Sequence, residues 1–433
     1  MELTKKIDKI LLKGGEILDL ETGGRRKLDM IIDKGRIAKM GPIDAKSFAG
    51  ETLDIAGSVI LPGLMDMHVH LREPGREDEE TIASGCQAAM AGGFTAVCPM
   101  PNTDPPCDSQ EVVRFMLKKA EGELVELYPV AAVTKKRAGK EITEMADLLR
   151  AGAVAFSDDG TPVYNSRVMR NALEYSRMYG IPIIDHCDDP YLLAGGHMNE
   201  GLMSTRLGIS PIPDVGEEIM ILRNIALARY TGGRVHVAHL STRRGLQHIR
   251  RAKDEGIRIS CEVTPHHLTL TDQDLIHFDT NKKMNPPLRT PEDVEALVEG
   301  LKDGTIDVIA SDHAPHAIEE KDVEFAAAPF GITGLETMVG VVLSAVVARG
   351  TVPLHSALHK MSIAPRDILG IAKPKIAEGE QANLTLIDPE REWTFDVSKG
   401  YSRSANTPYH GWRLRGAVTG VFNKSLYRPA AAV

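Results

Sequence analysis

The chain changes its hydrophobic rhythm twice. Over the first sixty residues, apolar runs at 7–13, 30–33, 36–40 and 51–55 are punctuated by Gly14-Gly15, Lys34-Gly35 and Gly41-Pro42. Short β-rich runs broken by glycine and proline predict strands and turns. The last fifty residues repeat the pattern at 382–387, 392–396 and 416–422. Strands at both ends flanking something different predict one small β-sandwich built from residues 1–60 and 376–433.

Between them lie eight short β-rich runs, at 59–60, 95–98, 127–133, 153–156, 181–184, 234–238, 258–263 and 307–310. Segments with apolar residues at helical spacing separate most of them, as at 79–91, 109–121, 166–179 and 217–230. Eight β/α units predict a TIM-like (β/α)₈ barrel, which takes about 250 residues. Residues 61–375 hold it with room for loop insertions. The predicted class is therefore α/β.

Composition narrows the function classes. With 42% apolar and 26% charged residues the chain is ordinary for a soluble globule, and its 39 Gly and 25 Pro show no fixed period. A net charge of −9 without a basic stretch offers no footprint for nucleic acid or an anionic membrane. The opening residues alternate charge with aliphatics, unlike a secretory signal. The longest apolar stretch, 338–348, falls short of the roughly 20 residues that span a bilayer. Five cysteines without a CxxC pair read as reduced thiols, which points to the cytoplasm.

The fifteen histidines change the picture, because several follow β-runs. A barrel's chemistry lies at the C-terminal ends of its strands. Those ends supply His68 and His70, the Asp158-Asp159 pair, His186, His239, His266-His267, and Asp312 with His316 beyond it. Residues i and i+2 of extended backbone point the same way, so His68 and His70 can face one metal. Imidazole nitrogen with carboxylate oxygen suits zinc. Two cations need a shared anion between them, and pleat counting does not decide between Asp158 and Asp159. His186 and His239 would hold the second ion. Asp312 closes the site as a carboxylate able to move a proton.

Other residues read as structural. His236 sits three before His239 and points elsewhere, into packing or to the surface. His266 and His267 position the loop after strand seven. Cys187 is a small apolar filler, and Asp66 supports the histidines from behind. Residues 317–329 are either a mobile loop over the site or a solvated connection.

The run His68-Val69-His70-Leu71-Arg72-Glu73-Pro74-Gly75 resembles the signature of dihydroorotases, in the amidohydrolase superfamily. Further motifs follow in family order: Cys98 to Thr103, Ala155 to Gly160, Glu262 to Leu268, Lys283 to Leu288, Ile309 to His316 and Pro329 to Ile332, with the late strand around 379–388. The resemblance implies one zinc on His68, His70 and Asp312, bridged by Asp159 to a second on His186 and His239. It implies one or two zinc ions, with two favoured. It also implies that Arg72, Asn102 and His316, beside His70, grip a substrate carboxylate, while Asn285 and the Phe330-Gly331 backbone contact the ring. An aspartate bridge instead of a carbamylated lysine resembles the bacterial type I branch. The implied activity is reversible cyclisation of N-carbamoyl-L-aspartate to L-dihydroorotate in pyrimidine biosynthesis, with Asp312 as proton carrier. A homodimer and association with aspartate transcarbamoylase are the implied partnerships. Two other readings compete: another cyclic amidase of the allantoinase or hydantoinase kind, and a non-catalytic scaffold for the transcarbamoylase. Arg72 argues against the first and the complete ligand set against the second.

Overall fold

The computed structural model describes residues 4–429, so the outermost residues of the expected β-sandwich lie outside the described residues. Strands from both termini share one nine-stranded sheet. The strand Val59–Pro62 joins them: it pairs antiparallel with Leu384–Thr394 and parallel with Lys9–Leu18. Alternate residues explain the fit. Ile10 and Leu12, Met30 and Ile32, Ile60, Leu384 and Leu386 enter the sheet's own core, while Val59, Leu61 and Ile387 enter the core shared with the barrel helices.

Two details differ from the expected pattern. Gly14-Gly15 does not end a strand: Lys9–Leu18 runs through it, with a register shift between Leu12 and Gly15 and Gly14 at φ +82°. Glycine at positive φ supplies a β-bulge there. The runs at 382–387 and 392–396 are one strand, Leu384–Thr394, irregular between Asp388 and Glu392. Lys34-Gly35 is a turn, both residues having positive φ as a tight hairpin requires.

The barrel is a TIM-like (β/α)₈ structure with its first strand displaced from the expected place. The run 59–60 belongs to the terminal sheet, and the first barrel strand is Leu64–Val69, which carries His68 itself. The other strands are Phe94–Pro99, Glu126–Leu127 continued by Val130–Ala132, Ala155–Ser157, Ile183–Asp185, Val235–Val237, Ile259–Val263 and Val308–Ile309. Pro129, without an N–H, interrupts the third strand, yet Tyr128 N still bonds Val97 O and Val154 N bonds Pro129 O. A parallel bridge between Val69 and His313 closes the ring.

Helices Ile82–Ala91, Gln110–Lys119, Met145–Ala151, Ser166–Arg177, Val215–Thr231, Arg243–Asp254, Pro291–Lys302 and Met338–Val342 follow the strands in turn. Their inward faces supply the shared core, for example Val168, Met169, Ala172 and Leu173, which pair at spacings of three and four. Among the described residues no helix is long and apolar enough to cross a membrane.

Candidate metal centre

The expected ligand residues converge at the C-terminal face of the barrel. His68 is the penultimate residue of the first strand and His70 follows it. Asp159 lies two residues past the fourth strand, His186 one past the fifth, His239 two past the sixth and Asp312 three past the eighth. All six side chains are buried.

Asp159 stands between two groups of nitrogens. Its Oδ2 lies 3.4 Å from His68 Nε2 and 3.5 Å from His70 Nε2. Its Oδ1 lies 3.6 Å from His186 Nδ1 and 3.5 Å from His239 Nε2. Those two imidazole nitrogens are 2.8 Å apart. Asp312 Oδ1 completes the first group, 3.1 Å from His70 Nε2 and 3.5 Å from His68 Nε2. Asp158 turns away, accepting from Thr134 N at 3.0 Å and from the Thr134 hydroxyl.

This arrangement fits a metal. His68 Nε2 and Asp159 Oδ1 are buried and have no hydrogen-bond partner among the described residues. Such an atom left unpaired costs about 1–3 kcal/mol, a cost that a cation within the cluster removes. The donors are imidazole nitrogens and carboxylate oxygens without a thiolate, a set suited to zinc. His68, His70, Asp159 and Asp312 would hold one ion and Asp159, His186 and His239 a second. Burial opposes charge on Asp159, but His68, His186 and His239 outweigh it and hold the carboxyl well below the usual carboxylate range.

A supporting layer orients these groups. The Glu262 carboxylate lies 2.5 Å from His68 Nδ1 and 3.2 Å from His236 Nε2, and it accepts from His239 N at 3.2 Å. With its Nδ1 proton given to Glu262, His68 presents Nε2 to the cluster. Asn102 Oδ1 does the same for His70 Nδ1 at 2.7 Å. Arg137 Nη2 donates to the carbonyls of Asp159 at 2.6 Å and Asp158 at 3.2 Å, fixing the loop that carries the Asp159 carboxylate. Asp66 accepts from the backbone N–H of His68 and Ser311, tying the first strand to the segment after the eighth. Glu262 and Arg137 escaped the sequence reading. Glu262 had one signal: a carboxylate inside an apolar β-run of a barrel has nowhere to go but inward. We expect Glu262→Gln to weaken metal binding about 10- to 100-fold in competition with a chelator; unchanged affinity would remove Glu262 from this role.

Three non-glycine residues of the site, Arg72 (φ +61°), His239 (φ +31°) and Asp312 (φ +49°), have left-handed backbone. Each such residue costs about 1–3 kcal/mol, and here all three line the cavity.

A cavity of about 320 Å³ opens over the cluster, lined among others by His70, Arg72, Asn102, Asn285 and His316. Arg72 is anchored through Nε, 2.9 Å from Glu79 Oε2 and 3.0 Å from Pro315 O, which leaves its terminal nitrogens towards the cavity and His316. Asn285 Nδ2 lies 2.9 Å from His186 Nε2, and its Oδ1 is buried without a partner among the described residues. Phe330 O is 2.8 Å from His316 Nε2, and Gly331 N donates to Lys283 O at 2.9 Å. Gly331 needs its missing side chain: at φ +127°, a Cβ would sit 2.7 Å from Ala314 Cβ and 3.1 Å from His316 Nε2.

Of the residues set aside as structural, His236 does not point away from the site: it is wholly buried, bonded to Ser260 and to the Glu262 carboxylate that also faces His68. His267 spans Thr264 and Pro286, positioning the loop after strand seven. Burial pushes the His266 imidazole down to about 4. Burial also raises the Cys187 thiol well above its ordinary range, which leaves no thiolate for nucleophilic attack.

The segment 317–329 is mostly exposed but held at several backbone carbonyls. Two buried lysines pin it: Lys321 Nζ donates to Pro329 O at 2.8 Å and Thr280 O at 3.1 Å, and Lys283 Nζ to Phe325 O at 2.8 Å and Ala326 O at 2.9 Å. Burial pushes the Lys321 ammonium down to about 7. Between there and about 10.4, the ordinary lysine value, the unfolded chain binds more protons than the folded one, so Lys321 makes stability rise with pH across that window. Chemical denaturation from pH 7 to 10 is expected to show a smaller rise in Lys321→Met than in the parent; equal slopes would contradict this.

A dihydro-orotase-like family model matches residues 57–245. The chain is 48% identical to a dihydroorotase of Pelotomaculum thermopropionicum over 94% of its own length and 95% of that protein's. It is 47% identical to a dihydroorotase of Caldanaerobacter subterraneus, covering 95% of each. The chain belongs to the dihydroorotase family. Among solved structures its fold is similar to that of an L-hydantoinase (dihydropyrimidinase) from Arthrobacter aurescens, with a TM-score of 0.85, 24% identity, and coverage of 96% of this chain and 95% of that one. That likeness carries the barrel and sandwich architecture. The span matched by the family model contains His68, His70, Asp159, His186 and His239, and Asp312 lies beyond it.

Proposed function

We propose that the protein is a zinc-dependent dihydroorotase that interconverts L-dihydroorotate and N-carbamoyl-L-aspartate in pyrimidine biosynthesis. The observation that carries this reading is the anchored Arg72 guanidinium beside Asn102 and His316 at one wall of the cavity, with the ligand cluster at its floor. A planar guanidinium matches a carboxylate in two parallel hydrogen bonds. A ring carboxylate held there orients one amide of a small polar substrate over the cluster.

Zinc, when bound, supplies Lewis acidity, polarising the amide carbonyl and acidifying water. The chain's own residues do the rest. Arg72, Asn102 and His316 bind and orient the carboxylate. Asn285 and the Phe330-Gly331 segment bound the ring. Asp312, buried and 3.1 Å from His70 Nε2, takes the proton of the attacking water as its oxygen bonds to the ring carbonyl carbon. It returns that proton to the ring nitrogen as the carbon–nitrogen bond breaks. The cyclisation runs the same steps backwards.

In this reading residues 61–375 form the catalytic unit, supported by residues 1–60 and 376–433. The enzyme works in the cytoplasm as a homodimer, and aspartate transcarbamoylase, which makes the open-chain substrate, is its candidate partner. The substrate test is turnover of L-dihydroorotate beside hydantoin and allantoin. Turnover confined to dihydroorotate supports the proposal. A preference for hydantoin or allantoin would replace it with the cyclic-amidase reading.

A further inference from the structure

A second cavity, of about 180 Å³, lies between the helix Met338–Val342 and the antiparallel pair Leu384–Thr394 and Arg413–Asn423. It shares no lining residue with the cavity over the metal centre. Val339, Trp393, Phe395 and Tyr401 make its walls largely apolar and aromatic.

Three cations line the same space: Arg391, Lys399 and Arg428. None of them has an ion pair among the described residues. Arg391 and Lys399 are exposed, but Arg428 is only 5% exposed. Its guanidinium lies 5.3 Å from the centre of the Tyr401 ring, and among the described residues nothing accepts a hydrogen bond from it. The two carboxylates at the cavity are engaged by backbone instead. Glu336 accepts from Tyr401 N at 3.0 Å and Ser402 N at 3.3 Å, and Asp396 accepts from Ser398 N at 3.1 Å. The Arg428 guanidinium borders the open space of the cavity, where an anionic group can reach it. Aromatic walls favour a flat ring, while a buried guanidinium backed by two rim cations favours an anionic group on it.

We propose that this cavity is a second binding site, one that takes a small planar aromatic anion, with the ring among Trp393, Phe395 and Tyr401 and the anionic group on Arg428. The site is independent of the metal centre and of the reaction performed there.

The chain's only two tryptophans are Trp393 and Trp412, so Trp412→Phe leaves Trp393 as the sole reporter. Titrating that variant with phenyl phosphate is expected to change its emission saturably, with a midpoint of about 1 mM. Inorganic phosphate and benzyl alcohol, each lacking half of the recognised chemistry, are expected to be at least about ten-fold weaker. Adding Arg428→Met is expected to weaken phenyl phosphate about ten-fold or more. Adding Lys399→Gln, at an exposed position that the fold does not need, is expected to weaken it about three-fold. Adding Arg72→Met leaves the midpoint unchanged, which separates this site from the metal-centre cavity. The proposal is overturned by no saturable response, by phosphate alone binding as well as phenyl phosphate, or by unchanged midpoints in the folded Arg428 or Lys399 variants.

Discussion

We expect Asp312→Asn to lower kcat for L-dihydroorotate by about 10²- to 10⁴-fold, with KM within about three-fold of the parent. The size follows from the role. Asp312 sits on the residue where the backbone turns left-handed after the eighth strand, buried, at the floor of the cavity. Burial opposes its ionisation, but His68 and His70 hold the carboxyl below the ordinary carboxylate range, which keeps it ionised, the form that can take a proton. An amide of the same shape has no comparable basicity. Because Asp312 is also a proposed metal ligand, metal content is measured alongside. Turnover lost with metal retained assigns the proton transfer to Asp312, whereas turnover retained would contradict the mechanism.

Arg72→Met is expected to act on binding. Truncating one partner of a buried charge-assisted pair costs about 2–5 kcal/mol, which at the lower end is already roughly a 30-fold rise in KM. The substrate carboxylate would then meet only Asn102 and His316. Hydantoin, which has no carboxylate, gives the internal control: any residual turnover of it is expected to change less than about three-fold. Arg72→Lys is expected to fall between, since an ammonium keeps the charge but not the planar fork. An unchanged KM for dihydroorotate in Arg72→Met would separate Arg72 from the substrate and remove the main reason for preferring dihydroorotate.

The barrel was legible because its strands and helices keep their separate periodicities, and the candidate ligands because they fall at the ends of its first, fourth, fifth, sixth and eighth strands. Legibility stopped where the backbone leaves regular geometry. Pleat counting could not choose between Asp158 and Asp159, since the fourth strand ends at Ser157 and both lie in the following turn. What decides is tertiary: Thr134 takes Asp158, and Arg137 fixes the carbonyls of both. Val59-Ile60 reads like a barrel strand because its alternation feeds two cores at once. The glycine pair at 14–15 reads like a turn because a bulge needs the same positive φ. Lys283 and Lys321 look like surface lysines, and only the carbonyls that the folded chain gathers around them make them anchors.

The proposed activity depends on His68, His70, Asp159, His186, His239 and Asp312 together holding the metal that the reaction requires. The most direct measurement is L-dihydroorotate turnover by chelated protein titrated with zinc, with bound metal counted at each step. Activity absent after chelation and restored in proportion to zinc, saturating at one or two ions per chain, is the predicted result. Full turnover by metal-free protein, or zinc bound at that stoichiometry without turnover of dihydroorotate, would contradict it.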